Sequence, residues 1–215
     1  MLFCVSISIE SSSIPYLTSN MPPKRKHRAG TRHGSSASSS VSTIIPSSLF
    51  LGPCSAASSS AFLAANSITE VLSIGSTPSP KVAGVSYHRL TLTDSVSSSL
   101  ATTLSLAIPI ITAAISSNQG RGAILVHCAA GVSRSPAIVV GYLMQERGMR
   151  LREALGLVVR ERPQVSPNSG FISGLKELEV ELFGGETMAG LVEMPRREVD
   201  RLALFAEKGA SPSYQ

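Results

Sequence analysis

Val126-His127-Cys128-Ala129-Ala130-Gly131-Val132-Ser133-Arg134-Ser135-Pro136 carries more information than any other stretch of this 215-residue chain. A continuous apolar run at 123–126 leads into it, and residues 135–147 follow with helical character, closed by Gly148 as a C-terminal cap. The reading is strand, tight loop, helix. A bare Cys-x5-Arg pair is weak evidence, with a chance expectation of about 0.2 in a chain of this composition. Requiring His before the cysteine, Gly inside the loop and Ser after the arginine lowers that to about 5 in 100,000.

Each position has a physical use. A thiol attacks as thiolate, and an ordinary cysteine is mostly protonated at neutral pH. Cys128, at the C-terminal end of a buried strand and just before a helix, would have its anion stabilised by the helix N-terminus and converging backbone N–H groups. The same N–H groups of Ala129, Ala130, Gly131, Val132, Ser133 and Arg134 would cradle phosphate oxygens. Gly131 lets the loop curl, because it tolerates positive φ. Arg134 supplies a planar fork for two oxygens. Ser135 can donate to the sulfur and help it depart, Pro136 suits a first helical turn, and His127 orders the loop rather than acting as a base. The competing reading of Cys128, a small hydrophobe at a strand end, leaves these neighbours unexplained.

A thiolate that takes up a phosphoryl group needs an acid for the leaving oxygen. The chain has two aspartates, Asp94 and Asp200, and Asp200 lies near the C-terminus. Asp94, in Thr91-Leu92-Thr93-Asp94-Ser95 on a loop between a strand and a helix, is the candidate; the alternative is a cap on a helix starting near Ser97.

Working outward, strands are expected at 49–52, 71–74, 85–91 and 123–126. Helices are expected at 55–65 with Ser55 as cap, at 98–117 with Pro109 kinking or splitting it, at 135–147, at 151–162 stopped by Pro163, and at 168–182 stopped by Gly184-Gly185. Strands come first and helices later, and the strands read as covered on both faces. That indicates a three-layer α/β domain over residues 44–183, with a central, mostly parallel sheet flanked by helices.

Residues 1–43 are dominated by serine and carry Lys24-Arg25-Lys26-His27-Arg28. Disorder is expected there, with the basic cluster either a solvated tail or a nuclear-import or docking patch. Met21-Pro22-Pro23-Lys24 also reads as a true start, which would make residues 1–20 a gene-model extension. Residues 184–215 read as a C-terminal tail with a weakly amphipathic stretch at 194–208. The net charge of +5 suits anionic partners without choosing among phosphoproteins, nucleic acid and acidic lipid. Three cysteines, Cys4, Cys54 and Cys128, form neither a disulfide framework nor a zinc pattern, so no metal is expected, and a reducing compartment, cytoplasm or nucleus, fits a free thiol. No run of eighteen apolar residues is present and the first residues lack a basic flank, so neither a membrane span nor a signal peptide is expected.

The loop closely resembles the signature of the dual-specificity phosphatase family, and Asp94-Ser95 resembles that family's general-acid loop. The likeness extends through Ala137–Met144, through Leu151-Arg152-Glu153-Ala154-Leu155, and through Arg162-Pro163 with Pro167-Asn168-x-Gly170-Phe171, beginning at Leu49-x-Leu51-Gly52. It implies a sheet of about five strands, a supporting role for Asn168, hydrolysis of phosphotyrosine and phosphoserine/threonine through a phosphocysteine, no cofactor, and phosphoprotein substrates with protein kinases as candidates. Ala129, Ala130 and Val132 are neutral where phosphoinositide-directed relatives carry lysines, and RNA-directed relatives use a different loop; no nucleic-acid partner is expected. Gly174 stands where the family often has Gln, the acid loop is serine-rich, and the usual kinase-docking domain is not expected. The alternatives are a phospho-binding scaffold without turnover and a phosphatase of phosphoinositides or RNA. Cys54 reads as a small residue packed beside Gly52-Pro53, with a protective disulfide to Cys128 as the other option.

Overall fold

Five strands form one sheet in the order β1-β2-β5-β3-β4: β1 (Ser42–Ile45), β2 (Leu49–Pro53), β3 (Glu70–Ile74), β4 (Ser86–Leu90) and β5 (Ile124–Cys128). The computed structural model describes residues 41–206. The expected disorder of the serine-rich segment, the alternative start and the last nine residues lie outside the described residues, apart from the segment's end, where Ser42 opens β1. Only β1 runs antiparallel to its neighbour; the other pairings are parallel. β1 begins two residues before the expected domain boundary. It escaped the sequence reading because only Ile44 is buried and the strand is held by pairing with β2.

The apolar strands are continuous because both faces are covered. Ile124, Val126 and Cys128 of β5 face the larger core beneath the helices, while Leu125 faces a smaller core with Phe50, Leu63 and Val71. The larger face carries α2 (Leu100–Gly120), α3 (Arg134–Arg147), α4 (Leu151–Glu161) and α5 (Ser169–Phe183). The smaller face carries α1 (Ser60–Ala65) and a 3-10 turn, Cys54–Ser58. The expected helix at 55–65 is therefore two pieces, and its cap is Ser59, which accepts from the Phe62 N–H, rather than Ser55.

Pro109 does not split α2. Backbone angles leave the helical range only at 117–119, and Pro109 and Ser105 both lie on the solvent side, where water can take the carbonyl that proline leaves unpaired. α2 is long and apolar enough, by length and composition, to cross a membrane. Here Leu100, Leu104, Ala107, Ile108 and Ile111, spaced three and four apart, are buried in the domain core.

The segment read as a tail packs on the domain as far as it is described. Met188, Met194 and Phe205 enter the larger core, and α6 (Glu198–Leu204) forms within the stretch that looked amphipathic. Fully buried Glu179 holds this segment, accepting from the N–H of Leu151 (2.9 Å) and from the N–H and hydroxyl of Thr187 (2.8 and 2.7 Å). Burial pushes that carboxyl up, but these donors and Arg150 outweigh it and keep it below its ordinary range.

Candidate active site

β5 ends at Cys128 and α3 starts at Arg134, so the loop between them hangs at the carboxyl ends of the parallel strands, a place where α/β sheets bind ligands. Its geometry is set by where its carbonyls go. The carbonyl of Cys128 meets His127 Nδ1 (3.2 Å), that of Ala129 accepts from the Cys54 N–H (3.1 Å), and that of Val132 from the Ser166 N–H (2.8 Å). The carbonyls of Ala130 and Gly131 both accept from the guanidinium of Arg162, at 3.1 and 2.7 Å. The Ser133 carbonyl accepts from the Ala137 N–H in the first turn of α3. Six consecutive carbonyls are thus bound on the outside of the loop, freeing its N–H groups to turn inward. Gly131 sits at φ +67°, and a Cβ there would strike the Gly52 backbone, so only glycine fits.

The sulfur lies where those N–H groups converge. The Ser135 hydroxyl donates to Cys128 Sγ at 3.2 Å. Burial raises the Cys128 thiol, but the Ser135 hydroxyl and the N–H groups of Ser135, Val132 and Gly131 outweigh it, and the thiol lies below its ordinary value. His127 is fully buried between Ser73 Oγ (2.8 Å from Nε2) and the Cys128 carbonyl. A carbonyl can only accept, so Nδ1 carries the proton and Nε2 of the neutral ring accepts from Ser73. Burial pushes its pKa down, which suits a neutral ring that orders the strand end.

Arg134 extends along the same side. Its Nη1 packs against Gly75, which is at φ +73° and has no room for a side chain there. Its Nε is buried and has no hydrogen-bond partner, an orphan donor of the sort a bound oxyanion satisfies. Asp94 Oδ2 stands 3.8 Å from that Nε. Oδ1 accepts from Ser133 Oγ (2.7 Å) and Asn168 Nδ2 (2.9 Å). Asp94 caps nothing: the N-cap of α2 is Ser99.

The structure brings together Cys128, Gly131, Ser133, Arg134, Ser135, His127, Asp94 and Asn168; Ala129 and Ala130 are exposed methyls on the rim and Val132 is half-buried. Cys54 is a free thiol whose backbone abuts the loop. Burial raises its pKa, and so does the charge on Cys128. Sequence reasoning missed two contributors. Arg162, 1% exposed, organises the loop from beneath, and its only signal was the Arg162-Pro163 pair counted in the resemblance. Gly75 is the other, and nothing in the sequence ties it to Arg134. Among the described residues, no group of three or more His, Cys, Asp or Glu side chains is placed to hold a metal ion.

Comparison with known proteins agrees with this geometry. The model of the dual specificity phosphatase catalytic domain matches residues 49–181. The chain is 37% identical to dual specificity protein phosphatase 1 of Arabidopsis thaliana over 65% of its own length and 69% of that protein. It is 45% identical, over 32% of its length and 8% of the relative's, to MAP kinase phosphatase with leucine-rich repeats protein 3 of Dictyostelium discoideum. The crystal structure of human DUSP28 superposes with a TM-score of 0.61 at 34% identity, covering 66% of this chain and 94% of that one. An anion bowl at the end of β5 and a family match over most of the described residues make the chain a member of the dual specificity phosphatase family, and hence a protein phosphatase.

Proposed function

We propose that Cys128 is the nucleophile, Arg134 the phosphate clamp, Asp94 the general acid and Ser135 the donor to the departing sulfur, acting on phosphotyrosine and phosphoserine/threonine. The phosphoryl group sits in the bowl with its oxygens on the loop N–H groups and the Arg134 guanidinium. Cys128 Sγ attacks phosphorus, the ester P–O bond breaks, and Asp94 gives its proton to the leaving oxygen. Water then attacks the phosphocysteine and Asp94 takes up its proton. The P–S bond breaks and inorganic phosphate leaves, the Ser135 hydroxyl supporting the regenerated thiolate. The observation that carries this reading is the buried Cys128 thiol, ringed by donors and held below its ordinary pKa beside the Nε of Arg134, which has no hydrogen-bond partner.

The rim favours phosphoproteins. Ala129 and Ala130 present methyl groups where a ligand with several phosphates would need cations. Protein kinases are proposed among the substrates on the strength of the Dictyostelium relative's name, and the reducing cytoplasm or nucleus as the compartment, where a reactive thiol stays reduced. The test is phosphate release by the purified, reduced protein from phosphotyrosyl and phosphothreonyl peptides, including kinase activation-loop peptides, against phosphoinositides and 5′-triphosphate RNA. Release from the peptides should dominate. Faster release from lipid or RNA would overturn the substrate class, and peptide binding without release would leave a scaffold.

A further inference from the structure

Asp94 is 41% exposed and lies between β4 and α2, in a stretch with no ladder or helix to hold it. Three contacts do so instead. Ser133 Oγ donates to Oδ1 (2.7 Å), Asn168 Nδ2 donates to the same oxygen (2.9 Å), and the Asn168 N–H donates to Ser133 Oγ (3.3 Å), closing a small ring. The Asn168 amide has only one sensible orientation. Its Oδ1 accepts from the Phe171 N–H at 3.0 Å as the N-cap of α5, so its NH2 must face Asp94. Two residues further on, Val96 presses its carbonyl against Gly170, where no side chain fits. The acid loop is thereby seated on the first turn of α5 and tied to the phosphate loop through Ser133.

We propose that Asn168 and Ser133 are positioning residues for the acid: by occupying Oδ1 they leave Oδ2, on the Arg134 side, as the oxygen that carries the proton to the leaving group. Ser133 then has a second role beyond its place in the cradle, and it links the acid's position to that of the loop that binds phosphate. The proposal rests on the assignment of Asp94 as acid given above.

Asn168→Asp separates this role from capping. Aspartate caps a helix as well as asparagine does, but it removes the donor and sets a carboxylate against Asp94. The melting temperature should stay within about 2 °C of the parent protein. kcat for phosphothreonine and phosphotyrosine peptides should fall about tenfold or more, with KM little changed, while 4-nitrophenyl phosphate, whose leaving group needs little protonation, should lose less than about twofold. Ser133→Ala should show the same selectivity with a smaller loss. Asp94→Asn is measured alongside. If it shows the selective loss and Asn168→Asp keeps full peptide turnover, or loses equally on both leaving groups, the positioning role is wrong. If Asp94→Asn itself shows no selectivity, the acid assignment falls and this inference falls with it.

Discussion

In the proposed mechanism the phosphate loop and the acid loop serve one reaction, but they are held by different means. From Cys128 to Ser133 every carbonyl has a donor outside the bowl, most of them main-chain N–H groups or the buried guanidinium of Arg162. The acid loop has few such ties: Asp94 is fixed by two side chains and by Val96 resting on Gly170. A bowl made of main chain is insensitive to most of its own side chains and highly sensitive to whatever binds its carbonyls. A loop fastened by side chains can lose its function through one substitution far from the sulfur. Preorganised N–H groups serve anion binding, which needs fixed dipoles; a group that must deliver and then collect a proton needs only to be placed.

The largest expected effect is at the chemical centre shared by both regions. Cys128→Ser should lower turnover at least about 10,000-fold, because an alkoxide is not available where a thiolate was, while a phosphopeptide is still captured in a pull-down. Residual turnover above a trace would break the mechanism. Asp94→Asn comes next, with about a 1,000-fold loss on phosphothreonine and far less on 4-nitrophenyl phosphate; uniform loss across leaving groups would mean that the acid loop serves structure only. Arg162→Met should then cost about 100-fold in kcat/KM through a misplaced loop, and on the order of 3 kcal/mol of stability from two orphaned carbonyls. Peptide turnover reads the first and chemical denaturation the second, and an Arg162→Met protein unperturbed in both would show that the bowl holds its own shape.

Ser135→Ala should act more mildly, by about tenfold, and through pH. Cys128 titrates below its ordinary value partly because the Ser135 hydroxyl donates to it. With that donor gone burial gains ground and the thiol's pKa rises. The acid limb of kcat/KM and the pH dependence of iodoacetamide inactivation should both move to higher pH; no movement would place the stabilisation in the backbone alone. The smallest effect sharpens the comparison most. Ala129→Ser, on the exposed rim, should change peptide turnover by less than about twofold, because the loop uses that residue's N–H and not its methyl.

Much of this was legible in the sequence because it is local. The glycine at the loop's turn, the cysteine at a strand's end and the serine after the arginine each act on neighbours within a few residues, so spacing exposes them; Asn168 entered only through the family resemblance. β2, β3 and β5 were legible because Leu49–Leu51, Val71–Ile74 and Ile124–Val126 form buried, largely apolar runs. β1 was not, since a short serine- and threonine-rich strand draws its stability from the strand beside it. The C-terminal segment was not, because what orders it is Glu179, a carboxylate that looks like any surface glutamate until Leu151 and Thr187 meet it.

The sequence by itself determined that a thiol would stand at the mouth of a strand–loop–helix unit with an arginine six residues on, since helix onset, turn chemistry and strand burial are encoded over a few positions. Only the tertiary structure decided what surrounds that unit. Arg162 beneath the loop, Gly75 beneath Arg134, and the Ser133–Asn168 grip on Asp94 join residues 31 to 74 positions apart. No periodicity records such meetings, because they depend on how separately folded pieces pack.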